Sequence, residues 1–386
     1  MKSVIMLIGG DLAPTRSNYL NFEKGDIKSL VDEKLLDMIL SVDFRIFNLE
    51  TPLTDTAKPI LKDGPNLIAP VRTINGIKAF SPVILGLANN HILDQDEQGL
   101  NQTFGLLEEH KILNVGAGTD LEDASKPLII EKNGHKIGIY ACAENEFSIA
   151  GKSRGGANPF DPLESLDHIS KLKEQCSFVL VLHHGGKEHY RYPSPDLQKV
   201  CRKMAEKGAD LIVCQHSHCI GALEKYGESV IVYGQGNFIF DRQDNEFWNT
   251  GLILKVTLND SLSVDFVPIC KNGNGVKLPA SDYRDSILSD FYNRSRQISV
   301  SGFIESEFEK FCLSNGQYFL ATQAGFGRIF RNIDKLLNGI FTKLIFSRKK
   351  LSQIQNQAEC ESQREVLLEY LRIKRGGKIL RIKDKL

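Results

Sequence analysis

Phe178–Asp241 reads FVLVLHHGGKEHYRYPSPDLQKVCRKMAEKGADLIVCQHSHCIGALEKYGESVIVYGQGNFIFD. It contains three apolar runs, Phe178–Leu182, Leu211–Cys214 and Val230–Tyr233, and each stops abruptly in small or polar residues. The stops are His183-His184-Gly185-Gly186, His216-Ser217-His218 and Gly234-Gln235-Gly236-Asn237. Runs this short and this apolar predict buried strands. The helix between the first two runs is marked at both ends, by Ser194 as N-cap with Pro195 after it, and by Gly208 as the stop. Strand, helix, strand predicts parallel neighbours whose C-terminal ends share one edge, where such sheets bind ligands. Four histidines are thereby expected on one rim.

Working outward, the N-terminal half repeats the pattern. Val4–Ile8 stops at Gly9-Gly10-Asp11, Phe44–Phe47 at Asn48-Leu49-Glu50-Thr51-Pro52, and Val83–Leu87 at Ala88-Asn89-Asn90-His91, with Asp94 close behind. Taken singly, Asp11 reads as a turn residue or as a ligand. Residues 29–41, 97–110 and 161–175 have helical spacing. Residues 128–131 and 135–141 predict a hairpin about Asn133-Gly134. Residues 54–70 read as a polar surface loop and 143–159 as a Gly-rich polar loop. After Asp241 a polar loop carries the only tryptophan, Trp248, and 251–258 and 262–269 alternate as antiparallel strands. From about 271 the pattern turns helical, at 285–296, 303–313, 328–350 and 361–375, and the chain ends basic. Two domains are expected, 1–270 and 271–386.

The chain has 386 residues, 41% of them apolar, with 48 basic and 48 acidic side chains that cancel. A large core is affordable at this size, and no net field points to nucleic acid. Eight cysteines without CxxC spacing read as free thiols of a reducing compartment. The apolar run in MKSVIMLIGGD is too short for a signal or a membrane span, and no later segment reaches roughly 18 apolar residues. The expected location is cytoplasmic, with peripheral contact at an inner membrane as an added reading.

Asp11, Glu50, Asn90, His91, His184, His216 and His218 all occupy the same kind of position, the polar end of a predicted strand. Imidazole, carboxylate and carboxamide donors suit Mn, Fe or Zn, and a cluster without Cys argues against structural zinc. If the backbone stays extended through His216-Ser217-His218, both imidazoles face the same side. His110, His135 and His168 have no partner pattern and read as ordinary histidines.

These residues also reach a family. Gly10-Asp11, Asn48-Leu49-Glu50, Ala88-Asn89-Asn90-His91 with Asp94, Gly116-Ala117-Gly118, His184-x-Gly186-x-Glu188, Gly208-Ala209-Asp210, His216-x-His218 and Gly236-Asn237-Phe238 resemble the capsule synthesis protein CapA family, linked to poly-γ-glutamate capsules. The resemblance covers residues 4 to about 270 and implies a branch of the calcineurin-like metallophosphoesterases. The implied fold is a layered α/β β-sandwich flanked by helices, here with a C-terminal helical extension. The implied cofactor is a pair of divalent transition-metal ions held by Asp11, Glu50, Asn90, His184, His216 and His218, with Glu50 in the place of a bridging Asp. His184 is preferred to His183 for its spacing to Glu188. Two departures stand out: the superfamily's first-strand Asp-x-His is Asp11-Leu12-Ala13 here, and its Gly-Asp-x-x-Asp is replaced by Asn48-Leu49-Glu50.

Two functions follow from the resemblance. One is a metal-dependent hydrolase in capsule or envelope polymer synthesis, cutting a phosphoester or a γ-glutamyl amide in an anionic polymer. His91 and Glu188 are its expected catalytic groups, and Asn48, Asn89, Asp94 and Asn237 line the pocket or support the ligands. Lys187 and Arg191 either meet an anionic substrate or are simply solvated. The other is a non-catalytic accessory protein of polymer assembly with a vestigial metal site. Residues 328–350 carry seven Lys/Arg against one Asp on an apolar stripe. Such a helix either lies on an anionic membrane surface or packs its stripe on the first domain.

Overall fold

A computed structural model of the chain describes residues 2–81, 83–241 and 245–375. The basic end at 376–386 lies outside the described residues. Parallel strands β1 (Val4–Ala13), β2 (Phe44–Leu49), β3 (Val83–Gly86) and β4 (Leu113–Val115) lie side by side in chain order. β5 (Ala117–Gly118) forms a small separate pair with β8 (Gly156–Ala157). A second sheet takes β6 (Leu128–Lys132), β7 (His135–Ala143), β9 (Phe178–His184), β10 (Leu211–Gln215), β11 (Leu223–Tyr226) and β12 (Ser229–Val232), in the order β11-β12-β10-β9-β7-β6. β13 (Asn237–Phe240) then returns to the first sheet and pairs parallel with β1. β14 (Thr250–Leu258), β15 (Leu262–Asn272) and β16 (Gly275–Lys277) extend that sheet antiparallel from the edge of β1 opposite β2, where β14 pairs with Val4–Ile8 and β13 with Asp11–Ala13.

Alternation along the strands assigns side chains to layers. On β9, Leu180 and Leu182 enter the core between the sheets together with Ile8, Phe47 and Leu85. Val179 and Val181 enter a second apolar layer on the outer face. There they meet Leu197, Cys201 and Met204 of the helix Pro195–Glu206. That helix begins as the sequence predicts, with Ser194 Oγ accepting from Leu197 N at 3.2 Å. The hairpin β6–β7 turns at Asn133 and Gly134, both with positive φ, which suits a two-residue turn. The layered α/β sandwich with flanking helices and a helical C-terminal region is the expected fold class.

One close approach decides the local chain path. A Cβ on Gly10 would overlap the carbonyl oxygen of Gly236, so the first strand can run beside β13 only with glycine there. Asp11 follows at once, paired with Asn48 of β2 and Asn237 of β13.

The chain divides into two compact units, Met1–Phe308 and Glu309–Leu386. The change from strands to helices near 271 falls inside the first unit, because the helix Ser281–Gln297 buries Ile287 and Phe291 against the sandwich. The Phe291 ring lies 4.9 Å from Phe266 of β15. The second unit is helical. Residues 328–350 do not form one helix: the helices Arg328–Leu336 and Ile340–Ile345 are parted by a turn with positive φ at Asn338 and Gly339. Glycine in the left-handed region ends a helix. Among the described residues, no helix is long and apolar enough to cross a membrane.

Candidate metal centre

The C-terminal ends of the parallel strands of both sheets meet on one rim. β1 brings Asp11, β2 brings Asn48 and, just past its end, Glu50, and the turn after β3 brings Asn89, Asn90 and His91. From the other sheet, β9 brings His184 and the chain after β10 brings His216 and His218. Strand alternation explains why His184 and not its neighbour belongs here. His184 shares a face with Leu180 and Leu182 of the inner core. His183 shares the outer face, where its Nδ1 lies 3.5 Å from Cys142 Sγ and its ring 5.7 Å from Phe160. Burial in that apolar layer pushes His183 down to about 4.

Two donor sets form. One atom from each of Glu50, His184 and His216 lies within 4.8 Å of the others, and the same holds for Asp11, Glu50 and His218. Glu50 belongs to both. It is 0% exposed, and neither of its carboxylate oxygens accepts a hydrogen bond; the nearest imidazole, His184 Nε2, stands 3.5 Å from Oε1. A buried carboxylate without a donor costs several kcal/mol unless a cation answers it. Asn90 Oδ1 lies 3.1 Å from His184 Nε2, beside the first set. The donor chemistry and the orphaned carboxylate both fit divalent ions.

Around the sets the polar groups are pinned. Asn48 Nδ2 donates to Asp11 Oδ1 at 2.8 Å and faces His184 Nδ1 at 3.2 Å, while its Oδ1 accepts from Asn89 Nδ2 at 3.0 Å. Asn89 Oδ1 accepts from the His91 amide at 3.1 Å. His218 Nδ1 stands 2.9 Å from Asn237 Oδ1 and 3.3 Å from Asp11 Oδ2. Burial alone would raise Asp11, but the His218 hydrogen bond and charge hold it below the usual carboxylate range. Burial would depress His218, yet Glu50 and then Asp11 push it up to about 9. His184 is raised in the same way against burial, chiefly by Glu50. His216 goes well below its ordinary value through burial and the neighbouring His184 and His218.

The backbone at the paired histidines is not extended, contrary to the sequence reading. His216 has φ 83° and His218 φ 52°, both left-handed. The two imidazoles therefore part, His216 to the Glu50–His184 set and His218 to the Glu50–Asp11 set, with ring centroids 6.0 Å apart. Non-glycine residues in this region cost about 1–2 kcal/mol each, and such strain collects at functional sites.

His91, in the turn after β3, is buried. Its Nδ1 lies 2.5 Å from Asp94 Oδ2, which also accepts from the Leu67 amide at 2.5 Å. Lys62 ion-pairs with Asp94 Oδ1 and stands 3.2 Å from His91 Nδ1, its side chain only 3% exposed. Sequence reasoning missed Lys62, which comes from the 54–70 loop and carries no periodic signal. Glu146 was also missed: it lies 3.3 Å from Asn90 Nδ2 and 3.9 Å from His216 Nε2. The strand-end rule applied to β7 would have found it, because Glu144, Asn145 and Glu146 follow that strand directly. The Trp248 ring lies tilted against His218 with centroids 4.4 Å apart, and its Nε1 donates to His189 Nε2 at 3.0 Å. Its signal was a lone tryptophan in a polar loop. Glu188 is not brought into the cluster. Gly186, with φ 115°, turns the chain after β9, and Glu188 is exposed in the turn beyond.

The family model described as bacterial capsule synthesis protein PGA_cap matches residues 5–242, more than half of the chain. The PGA biosynthesis protein CapA of Bacillus subtilis is 33% identical over 173 residues, 44% of this chain and 46% of that one. The capsule biosynthesis protein CapA of Bacillus anthracis is 29% identical over 237 residues, 59% of this chain and 58% of that one. The chain thus spans about half the length of these curated relatives. A crystal structure of a 5'-nucleotidase-like protein from Staphylococcus aureus covers 76% of this chain and 58% of its own at 11% identity, with a TM-score of 0.43. The matched span runs from β1 past β13 and takes in every strand end of the rim, so this chain belongs to the bacterial capsule synthesis protein family, PGA_cap.

Proposed function

We propose that the rim is a divalent-metal hydrolase centre working in the synthesis of a capsular or envelope polymer. Glu50 carries this reading: a fully buried carboxylate, without a hydrogen-bond donor, is shared by two sets of imidazole and carboxylate donors. Asp11, Glu50 and His218 would hold one ion, and Glu50, His184 and His216 with Asn90 the other. Ions so held supply Lewis acidity, acidifying water and stabilising negative charge on an attacked phosphoryl or carbonyl oxygen.

The chain's own residues do the rest. Asp94 holds His91 by Nδ1 and leaves Nε2 to give a proton to the leaving group. Lys62 answers the Asp94 charge, so that Asp94 can stay buried and ionised beside His91. Asn48 ties Asp11 of one sheet to His184 of the other and so keeps both donor sets in register. Trp248 and Phe240, with centroids 4.6 Å apart, wall off the His218 side from solvent. The substrate class is a phosphoester or a γ-glutamyl amide of an anionic polymer, in keeping with the family.

The accessory reading rests on one feature, Ala13, where the resembling superfamily carries an imidazole. It leaves the Asp11 set one protein donor short. Elemental analysis of the purified protein, paired with a screen of phosphomonoesters, phosphodiesters and γ-glutamyl amides, separates the two. Metal with turnover that His91→Ala abolishes supports the hydrolase. No turnover on any of the three, with transition metal partial or absent, supports the accessory role and sinks the hydrolase.

A further inference from the structure

The helical hairpin of the second unit packs Phe330 on Phe341, with centroids 5.1 Å apart, yet buries a carboxylate and leaves much of its other apolar surface outside. In the helix Arg328–Leu336 the buried residue is Asp334, and in Ile340–Ile345 it is Thr342. Asp334 is fully engaged. Its Oδ1 accepts from the amides of Phe341 and Thr342 at 2.8 and 3.3 Å, and its Oδ2 accepts from Thr342 Oγ1 and from Gln317 Nε2. It thereby caps the second helix, satisfying amides that a helix start leaves open. The polar pin fixes the hairpin with its apolar side outward: Leu336 is 83% exposed, Ile329 79% and Leu344 77%. A helix surrounded by water buries its apolar stripe, whereas here these apolar side chains lie outside beside the exposed Arg328, Lys335 and Lys343.

Seven Lys/Arg accompany this face between residues 328 and 350, and the one acid there is the buried Asp334. We infer that the hairpin docks on the surface of an anionic lipid bilayer, its apolar side chains entering the interface and its cations meeting the headgroups. Charge chooses this occupant. A second copy of the hairpin would bring like charges together, whereas an anionic bilayer answers the apolar face and the basic residues at once. The inference is independent of the metal centre.

The test is flotation of the full chain with vesicles of phosphatidylglycerol and phosphatidylcholine, against phosphatidylcholine alone. Wild type should partition onto the anionic vesicles, and added salt should weaken this. Ile329→Asp with Leu336→Asp should lower partition at least tenfold with an unchanged far-UV CD spectrum. Arg328→Gln, Lys335→Gln and Lys343→Gln together should lower it about a hundredfold, at roughly fivefold per basic residue. This variant leaves the apolar face intact, so it decides the matter even if the first does not fold. No flotation at low salt, or equal flotation on neutral vesicles, overturns the inference. So does a lipid-free dimer that Ile329→Asp with Leu336→Asp converts to monomer, because the face then belongs to a second copy.

Discussion

At the sandwich rim, Glu50 is 0% exposed and no hydrogen bond reaches it. In the second unit, Asp334 is equally buried, yet amide, hydroxyl and carboxamide donors surround it. The two carboxylates differ in satisfaction and not in burial. Asp334 is an internal fastener, and the unmet demand of its hairpin lies in the exposed Ile329, Leu336 and Leu344. Glu50 is itself the unmet demand. Each region lacks a partner, and the kind of surface left unanswered names that partner's chemistry: a cation in one place, an apolar anionic interface in the other.

The largest expected effect breaks the comparison at Glu50. If Glu50 is shared by two ions, Glu50→Gln should strip transition metal from both positions, while His216→Ala and His218→Ala should each remove part of it. Elemental stoichiometry reads this directly. An unchanged metal content in Glu50→Gln would remove the centre from the rim.

Next in size is His91→Ala. Turnover should fall about 10²–10⁴-fold, as for loss of a general acid, with metal content kept. Metal lost in proportion to activity would make His91 a ligand and not a proton donor.

Lys62 sharpens the contrast between buried and exposed ion pairs. Lys62→Met leaves Asp94 with its charge unanswered and should cost about 2–4 kcal/mol in denaturant melts. Lys58→Met, which breaks the 2.8 Å pair with Asp96 where the lysine is 60% exposed, should leave the melt almost unchanged. Equal effects would mean that Lys62 is not held where its pair with Asp94 puts it.

The smallest effects test the hairpin. Asp334→Ala should cost about 1–3 kcal/mol of the second unit's stability through open amides, seen as earlier loss of helical CD. Leu336→Ser should change stability by no more than about 0.5 kcal/mol, because an exposed side chain loses no packing. A large loss from Leu336→Ser would show that the face is covered by protein.

Much of this was legible in the chain itself. Apolar runs ending in Asp11, Glu50, Asn90, His184 and His216 are local facts, and so are the Ser194 cap and the Asn133-Gly134 turn. What was not legible depended on contacts between distant segments. Lys62 looked like any lysine of a polar loop until the fold set it against Asp94. Glu188 looked close to His184 by spacing, but one left-handed glycine sends it into solvent. The stripe in 328–350 was visible, whereas its outward direction depended on Asp334 meeting Gln317 and Thr342.

By itself, the sequence determined the apolar runs at the heart of most strands, the polar residues that follow those runs, and the helical character of the tail; it did not show that β1 continues through Asp11 to Ala13, nor β11, β13 and β16. Burial period, caps and turns act over a few residues, and the chain carries them wherever it goes. The tertiary structure alone decided that the ends of two different sheets share one rim, that Glu50 serves both donor sets, and that left-handed backbone parts His216 from His218. Those outcomes depend on how one sheet packs on the other, and on strain that only the finished packing can hold in place.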